Sequence, residues 1–376
     1  MTADARASGG HRGTAPRAPP SRRHLLGLAS SLPFIVPAGR VDAALARTAA
    51  LDLGPVARPL PRAATMVIAG PAGGPLDRWA RTLATSMAPD LGPGASIEPA
   101  STGAGDGVTG ANGFGAEAAP DGRTVLLTPG QAAISWLVGD PRAKFDVSRW
   151  IPVIAATHPA VLVAGKNGVG VFAGRRVKVA VTAIECPDLA ALAAVELLGG
   201  QAEPVLNGTP KLDALARGFA DIALINARDQ AALTRQLAGS DLRAILAIPA
   251  LDPTGVPIRE PGFPDLPHVM ELYRPLRGGQ PNGPMVRACR AADAAARLEF
   301  GLVLPPLTPA AMIAIWRRTG ATAIAAPTMA ARADEFGAEL LAPPAAAATI
   351  SAMAADTEAL LALRYWLAAR FGWRPG

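Results

Sequence analysis

The sequence predicts an α/β protein of two lobes, each a mostly parallel sheet flanked by helices, with a cleft between them. Three observations lead there. From Thr65 onward short β-branched runs alternate with Ala/Leu-rich helical stretches, and strands separated by helices pair in parallel with helices on both faces. The runs fall into two clusters, roughly 64–163 and 164–250. The chain of 376 residues is too long for one compact core and comfortable for two.

The first cluster opens with a buried strand, Thr65–Ala69 (TMVIA), and a helix over Leu76–Ala88. In that helix Leu76, Trp79, Ala80, Leu83 and Met87 recur at three- and four-residue steps and form one apolar face. Strands follow at Ala95–Glu98 and Thr124–Thr128 (TVLLT), then apolar pieces at Ile151–Ala156 and Ala160–Ala164. The second cluster runs strand Val177–Val181, helix Leu189–Leu198, strand Glu203–Leu206, helix Lys211–Gly218, strand Asp221–Ile225 and Leu242–Ile248. Residues 250–298 are Pro-, Gly- and Arg-rich, and Arg277–Gly283 (RGGQPNG) predicts an exposed loop. A strand at Glu299–Leu304 resumes the pattern. A helix over Pro309–Ala325 takes Thr308 as its N-cap. The final helix is expected from about Ala345 to Phe371, with Met353, Leu360, Leu361, Leu363, Trp366 and Leu367 as its core-facing stripe.

Composition excludes several classes. Half the residues are apolar and 18% are charged, which rules out wholesale disorder. Two cysteines, Cys186 and Cys289, are too few for a disulfide scaffold or a thiolate metal cluster. No stretch approaches the roughly 20 apolar residues of a spanning helix. The net charge of +6 is concentrated at the N-terminus, where residues 1–46 hold six arginines against Asp4 and Asp42. Without them 30 basic and 28 acidic residues remain, a net of +2, with no basic stripe for nucleic acid.

That N-terminus reads as an address. Arg22-Arg23 precedes an interrupted apolar run from Leu25 to Ala38, and Ala44-Leu45-Ala46 supplies a small-x-small cleavage site. The arrangement resembles a twin-arginine export signal over 1–46, followed by a patternless linker over 47–63. A periplasmic mature chain is therefore expected, and export permits a Cys186–Cys289 disulfide, although the sequence does not bring the two sulfurs together.

Two glycine clusters stand at strand-to-helix turns. Gly70-Pro71-Ala72-Gly73-Gly74 follows the first strand, and glycines there leave N–H groups at a helix start, a natural seat for an anion. Gly103-Ala104-Gly105-Asp106-Gly107 follows the second. Counted from Gly105 it matches a dinucleotide fingerprint, but it does not follow the first strand. Its nearest acids, Glu117 and Asp121, also precede the next strand instead of ending it. Catalytic constellations are sparse. His158 and His268 are the two histidines beyond the leader, no nucleophile elbow or zinc signature occurs, and neither cysteine has a nearby histidine. No enzyme activity, cofactor or metal is expected.

The order of motifs resembles the Bug-type periplasmic receptors of tripartite tricarboxylate transporters. The resemblance rests on Pro71-Ala72-Gly73-Gly74 with Asp77 and Ala80-Arg81, on Ile97-Glu98 with Gly103-Ala104-Gly105, and on Pro120-Asp121-Gly122-Arg123-Thr124-Val125-Leu126. Asn207-Gly208-Thr209, Gly218 with Asp221, and Phe300–Pro309 continue it to about residue 345. It implies a two-lobed periplasmic-binding-protein-like fold: lobe I from 64–163 plus 295–376, lobe II from 164–294. It also implies a small organic-acid or amino-acid ligand gripped by backbone amides, a membrane permease as partner, and a monomer. Carried over residue by residue, the ligand-binding positions are Ala72, Gly73, Gly74 and Asp77, then Gly103, Ala104, Gly105 and Gly107. Thr128, Gln131, Asn207, Gly208, Thr209 and Asp221 complete the set. Asp106 replaces an expected glycine, and Glu185 and Asp188 make the helix start after Val181 acidic; these changes favour a monocarboxylate or zwitterion over a dicarboxylate. A sensor of the same fold, or a secreted enzyme, stays open as an alternative.

Overall fold

The computed structural model describes residues 63–165, 168–172, 176–206 and 208–374. The expected leader, nearly all of the expected linker, and Asn207 lie outside the described residues.

The first lobe is built from β1 (Ala63–Ile68), α1 (Pro75–Leu91), β2 (Ser96–Ser101), α2 (Val108–Glu117), β3 (Thr124–Thr128), α3 (Gly130–Val138) and β4 (Ile151–Thr157). The second holds β5 (Ala160–Ala164), β6 (Arg176–Ala180), α4 (Leu189–Leu197), β7 (Gln201–Val205), α5 (Lys211–Ala216), β8 (Ile222–Asn226), α6 (Gln230–Leu237) and β9 (Arg243–Ala247). The chain returns through β10 (Ala250–Leu251), β11 (Pro257–Ile258), α7 (Val269–Arg277) and α8 (Pro284–Arg297). It ends with β12 (Leu298–Leu304), α9 (Ala310–Ile324), α10 (Pro327–Phe336), β13 (Glu339–Leu341), α11 (Pro343–Met353) and α12 (Thr357–Phe371).

The two sheets repeat one order. The first runs β13-β4-β12-β3-β1-β2 and the second β7-β6-β8-β5-β9. In each, three strands are parallel (β1, β2 and β3; β6, β7 and β8), and one strand sits antiparallel between the third of these and the next, β4 or β9. These inserted strands are β12 and β5. The expected lobe boundary after residue 163 assigns β5 to lobe I, but its partners are β8 and β9, so the sheets divide at His158-Pro159. Pairing across some 60 residues is long-range, and a strand's own pattern does not encode it.

Period-two burial explains the layers. Leu126 of β3 and Leu162 of β5 face a core that runs through both lobes, while Val125 and Leu127, and Val161 and Val163, face separate cores on the far sides. The apolar face expected of α1 is buried as a unit, from Leu76 to Met87. The shared core is organised by α8, which packs against α3, α4, α11 and α12. Within the Pro-, Gly- and Arg-rich stretch 250–298 the sequence reading names no helix here, yet ten of the fourteen α8 residues are buried, six of them alanines.

Other expectations are also corrected. Thr308 does not cap α9; Pro309 holds that position, and the Thr308 hydroxyl donates to the Pro305 carbonyl (2.8 Å). The single terminal helix is two, α11 and α12, bent by 54°. Asp356 starts the second by accepting the Ala359 N–H (2.9 Å), and Leu361 is 62% exposed instead of core-facing. Cys186 and Cys289 are both free.

Candidate functional site

Because β1, β2 and β3 are parallel, their carboxyl ends emerge on one edge of the first sheet, where crevices of open α/β sheets form. The turn after β1 is clamped from within. Asp77, buried in the first turn of α1, accepts the Gly73 N–H (3.0 Å), the Arg81 guanidinium (2.9 and 3.2 Å) and the Ser101 hydroxyl (3.3 Å). The Arg81 hydrogen bonds hold the Asp77 carboxyl below the usual range, outweighing burial, with help from Gly73 and Ser101. Gly73 has φ +75°, a conformation its missing Cβ permits. Its amide is spent on Asp77, and the Gly74 amide on the Pro71 carbonyl (3.2 Å). The motif Pro71–Arg81 is thus a self-braced loop with Asp77 as its brace.

The turn after β2 leans on the first. The Gly103 N–H donates to the Gly70 carbonyl (3.2 Å), and the Gly107 N–H to Ala104 (3.4 Å). The amides of Ala104, Gly105 and Asp106 meet no acceptor among the described residues. Asp106 itself is paired: Arg142 reaches it at 2.7 Å and Asp140 at 2.6 Å. One arginine thus serves two aspartates, and the Asp106 carboxylate is turned towards Arg142. Gly110 serves packing, since a Cβ there would lie 2.5 Å from Thr102 Oγ1 and 2.6 Å from Ala69 Cα.

In the second lobe β6, β7 and β8 end at Ala180, Val205 and Asn226 on the corresponding edge. Lys211, the first residue of α5, donates from Nζ to Asp188 at the head of α4 and to the Leu224 carbonyl (3.2 Å). Asp188, 1% exposed, also accepts the Thr182 N–H (2.8 Å), and the Cys186 sulfur lies 3.2 Å from it with the Ala183 carbonyl nearer at 2.9 Å. Burial, and then the Asp188 charge, push the Cys186 thiol up to about 11, so it is neutral at ordinary pH. A cavity of about 450 Å³ opens here, lined by Gln131, Thr182, Cys186, Asp188, Lys211 and Asn226 among others. Gln131 enters from lobe I, and its amide donates to the Glu185 carbonyl across the gap. A second cavity of about 420 Å³, lined by Thr182, Gly208, Thr209 and Lys211, adjoins it.

Of the expected binding residues, the structure brings Gln131, Gly208 and Thr209 to these cavities. Ala72, Gly73, Gly74, Gly103, Ala104, Gly105 and Gly107 stand on the lobe I edge and line neither. Thr128 is buried, its hydroxyl 3.4 Å from the Pro129 carbonyl. Asp221 is misplaced by the motif match. It precedes β8, so it sits at the opposite end of the strand from Asn226, where it accepts the Lys178 N–H (2.9 Å). Lys211, Asp188 and Asn226 were missed as site residues. Their signal was present: each stands where a parallel strand gives out or the next helix begins.

No protein-family model matches the chain, and no curated protein matches its sequence. Among solved structures, a TctC solute-binding protein from Polaromonas, solved without ligand, superposes with a TM-score of 0.60 at 16% identity, covering 80% of this chain and 97% of that one. This chain shares the fold of that protein. The periplasmic binding protein BugD shows 20% identity and a TM-score of 0.47, covering 82% of this chain and 97% of its own. An R. palustris protein solved with adipate shows 19% identity and a TM-score of 0.49, covering 81% and 97%.

Proposed function

We propose that this chain is a Bug-type extracytoplasmic receptor that captures a small carboxylate-bearing metabolite by lobe closure and hands it to the permease of a tripartite tricarboxylate-type transporter. The observation that carries the reading is the cavity where the carboxyl ends of two like-ordered sheets meet, with Gln131 from one lobe and Lys211 from the other on its walls. A ligand seated there touches both lobes and so favours the closed arrangement by its differential contacts. The TctC-type fold and the run of motifs from Pro71 to Pro309 support the same reading.

Binding without chemistry fits the groups present. The Cys186 thiol is neutral, and Cys289, fully buried, is pushed further still by desolvation. In this proposal residues 1–46 are a twin-arginine leader, 47–63 a tether, the mature chain is a periplasmic monomer, and its lobes divide at 158–159.

Calorimetric titration of the purified mature protein with a panel of mono-, di- and tricarboxylates tests the reading, paired with small-angle scattering. The expected result is micromolar binding of at least one acid with a decrease in radius of gyration. Absence of binding to every acid, with no metabolite retained in native mass spectrometry, would overturn it.

A further inference from the structure

We infer that the cleft is built for a monocarboxylate whose carboxylate is received by the Lys211 side chain, in addition to backbone amides; the inference rests on the receptor reading above. An ammonium carries three donors. Two are committed, to Asp188 and to the Leu224 carbonyl, and the third meets no acceptor among the described residues. Lys211 lines both adjoining cavities, so this donor stands at their junction.

Asp188 and Lys211 form an ion pair, so what the lysine offers a ligand is its third N–H and not a free positive charge; the Asp188 carboxylate also accepts the Thr182 amide. The remaining lining is neutral. Gln131, Thr182 and Asn226 offer polar groups, while Pro187, Leu224 and Ile225 are apolar.

That balance selects the ligand class. A second carboxylate on the ligand would find no second cation in this lining, and a buried unpaired charge is costly. An ammonium would meet Lys211 as a like charge, and Asp188, the one carboxylate in this lining, is already paired with Lys211. Di- and tricarboxylates and zwitterions are therefore disfavoured. A single carboxylate on a neutral body fits.

The test is calorimetric titration of the purified protein with butyrate, 3-hydroxybutyrate, benzoate, succinate, citrate and glutamate. At least one of the first three should bind about 10-fold or more tighter than any of the last three. Lys211→Met should weaken that binding about 10- to 100-fold, the range of a hydrogen bond to a charged group, and Lys211→Arg should restore most of it. Because Lys211→Met strands the buried Asp188 carboxylate, the Asp188→Asn/Lys211→Met pair is titrated as well and should show the same loss. Equal affinity in wild type and the neutral pair would overturn the lysine's role while leaving the receptor reading standing. A preference for succinate, citrate or glutamate would overturn the ligand class, and that arm needs no variant to fold. Failure of all six acids to bind wild type would count against the receptor reading and take this inference with it.

Discussion

Asp293 should make this protein less stable as pH rises through neutrality. It lies on α8, 2% exposed, with Oδ1 unpartnered and the Cys289 thiol 3.9 Å from Oδ2. Burial pushes its carboxyl from 3.8 up to about 8, although Arg297, Cys289 and Arg290 oppose the shift. In the unfolded chain an aspartate ionises near 3.9. Between about pH 4 and 8 the folded state therefore holds a proton that the unfolded state has released. The sign follows: the unfolded state binds fewer protons, so unfolding free energy falls by up to about 1.4 kcal/mol per pH unit across that window. Asp293→Asn keeps the shape and removes the titration. In urea unfolding at pH 5, 6, 7 and 8, the stability of the variant relative to wild type should climb by about 3–4 kcal/mol from pH 5 to 8. The absolute offset between the proteins is immaterial; the slope is the observable. Curves that stay parallel within about 0.5 kcal/mol would refute a protonated Asp293, since the slope is set by that proton alone.

Further outcomes follow from the same contacts. Asp77→Ala frees the Gly73 amide and the Arg81 guanidinium, and should cost about 1–3 kcal/mol at pH 7 in urea melts. Because the folded pKa of Asp77 is depressed, the wild-type advantage should persist above about pH 4 and fade as pH falls below it. Gly110→Ala should lower stability by about 1–3 kcal/mol, because its Cβ would strike Thr102 and Ala69. Gly105→Ala, with nothing within 4 Å of the new carbon and no positive φ, should change stability by less than about 1 kcal/mol; thermal melts of the two alanine variants side by side decide. Arg297→Met should cost about 3–5 kcal/mol by stranding Glu260, while the Arg297→Met/Glu260→Gln pair should recover part of that loss, as chemical denaturation of the three proteins would show.

How much was legible follows from where each signal resides. The α1 face, β3 and β5 were visible because period and β-branching are local, and these elements bury what their patterns offer. The α8 segment was obscured by Arg287, Arg290 and Arg297, which read as surface. Yet Arg297 is 5% exposed, held by Glu260 and the Pro249 carbonyl, partners 37 and 48 residues away. The glycine motifs located both turns correctly but not the use of their amides, since Gly73 answers to a side chain one helical turn on. Asp221 failed because a short spacing says nothing about strand direction. Lys211 was passed over because a lysine at a helix start is ordinarily solvated, and only the assembled sheet puts buried Asp188 beside it.

The same contacts restrict how the lobes can move. Chain passes between them at His158-Pro159, at Ile248-Pro249, and from α8 into β12, and Arg297 ties all three. Its guanidinium reaches the His158 carbonyl (3.4 Å) and the Pro249 carbonyl (3.0 Å), while its own carbonyl accepts the His158 N–H (2.7 Å). Beyond these crossings α8 packs against α3 of one lobe and α4 of the other within a single core. Close-packed interiors deform little, so the shared core resists separation on that side. Elsewhere the lobes also meet where Arg228 pairs with Asp334 (2.6 Å) and where Gln131 donates to the Glu185 carbonyl. A hydrogen bond of that kind contributes about 1 kcal/mol net, within reach of a ligand that offers both walls better partners. In the proposed receptor a ligand satisfying both walls would compete with this bond, and Gln131→Ala should raise the radius of gyration of the free protein while leaving its melting transition nearly unchanged; an unaltered scattering profile would count against that role.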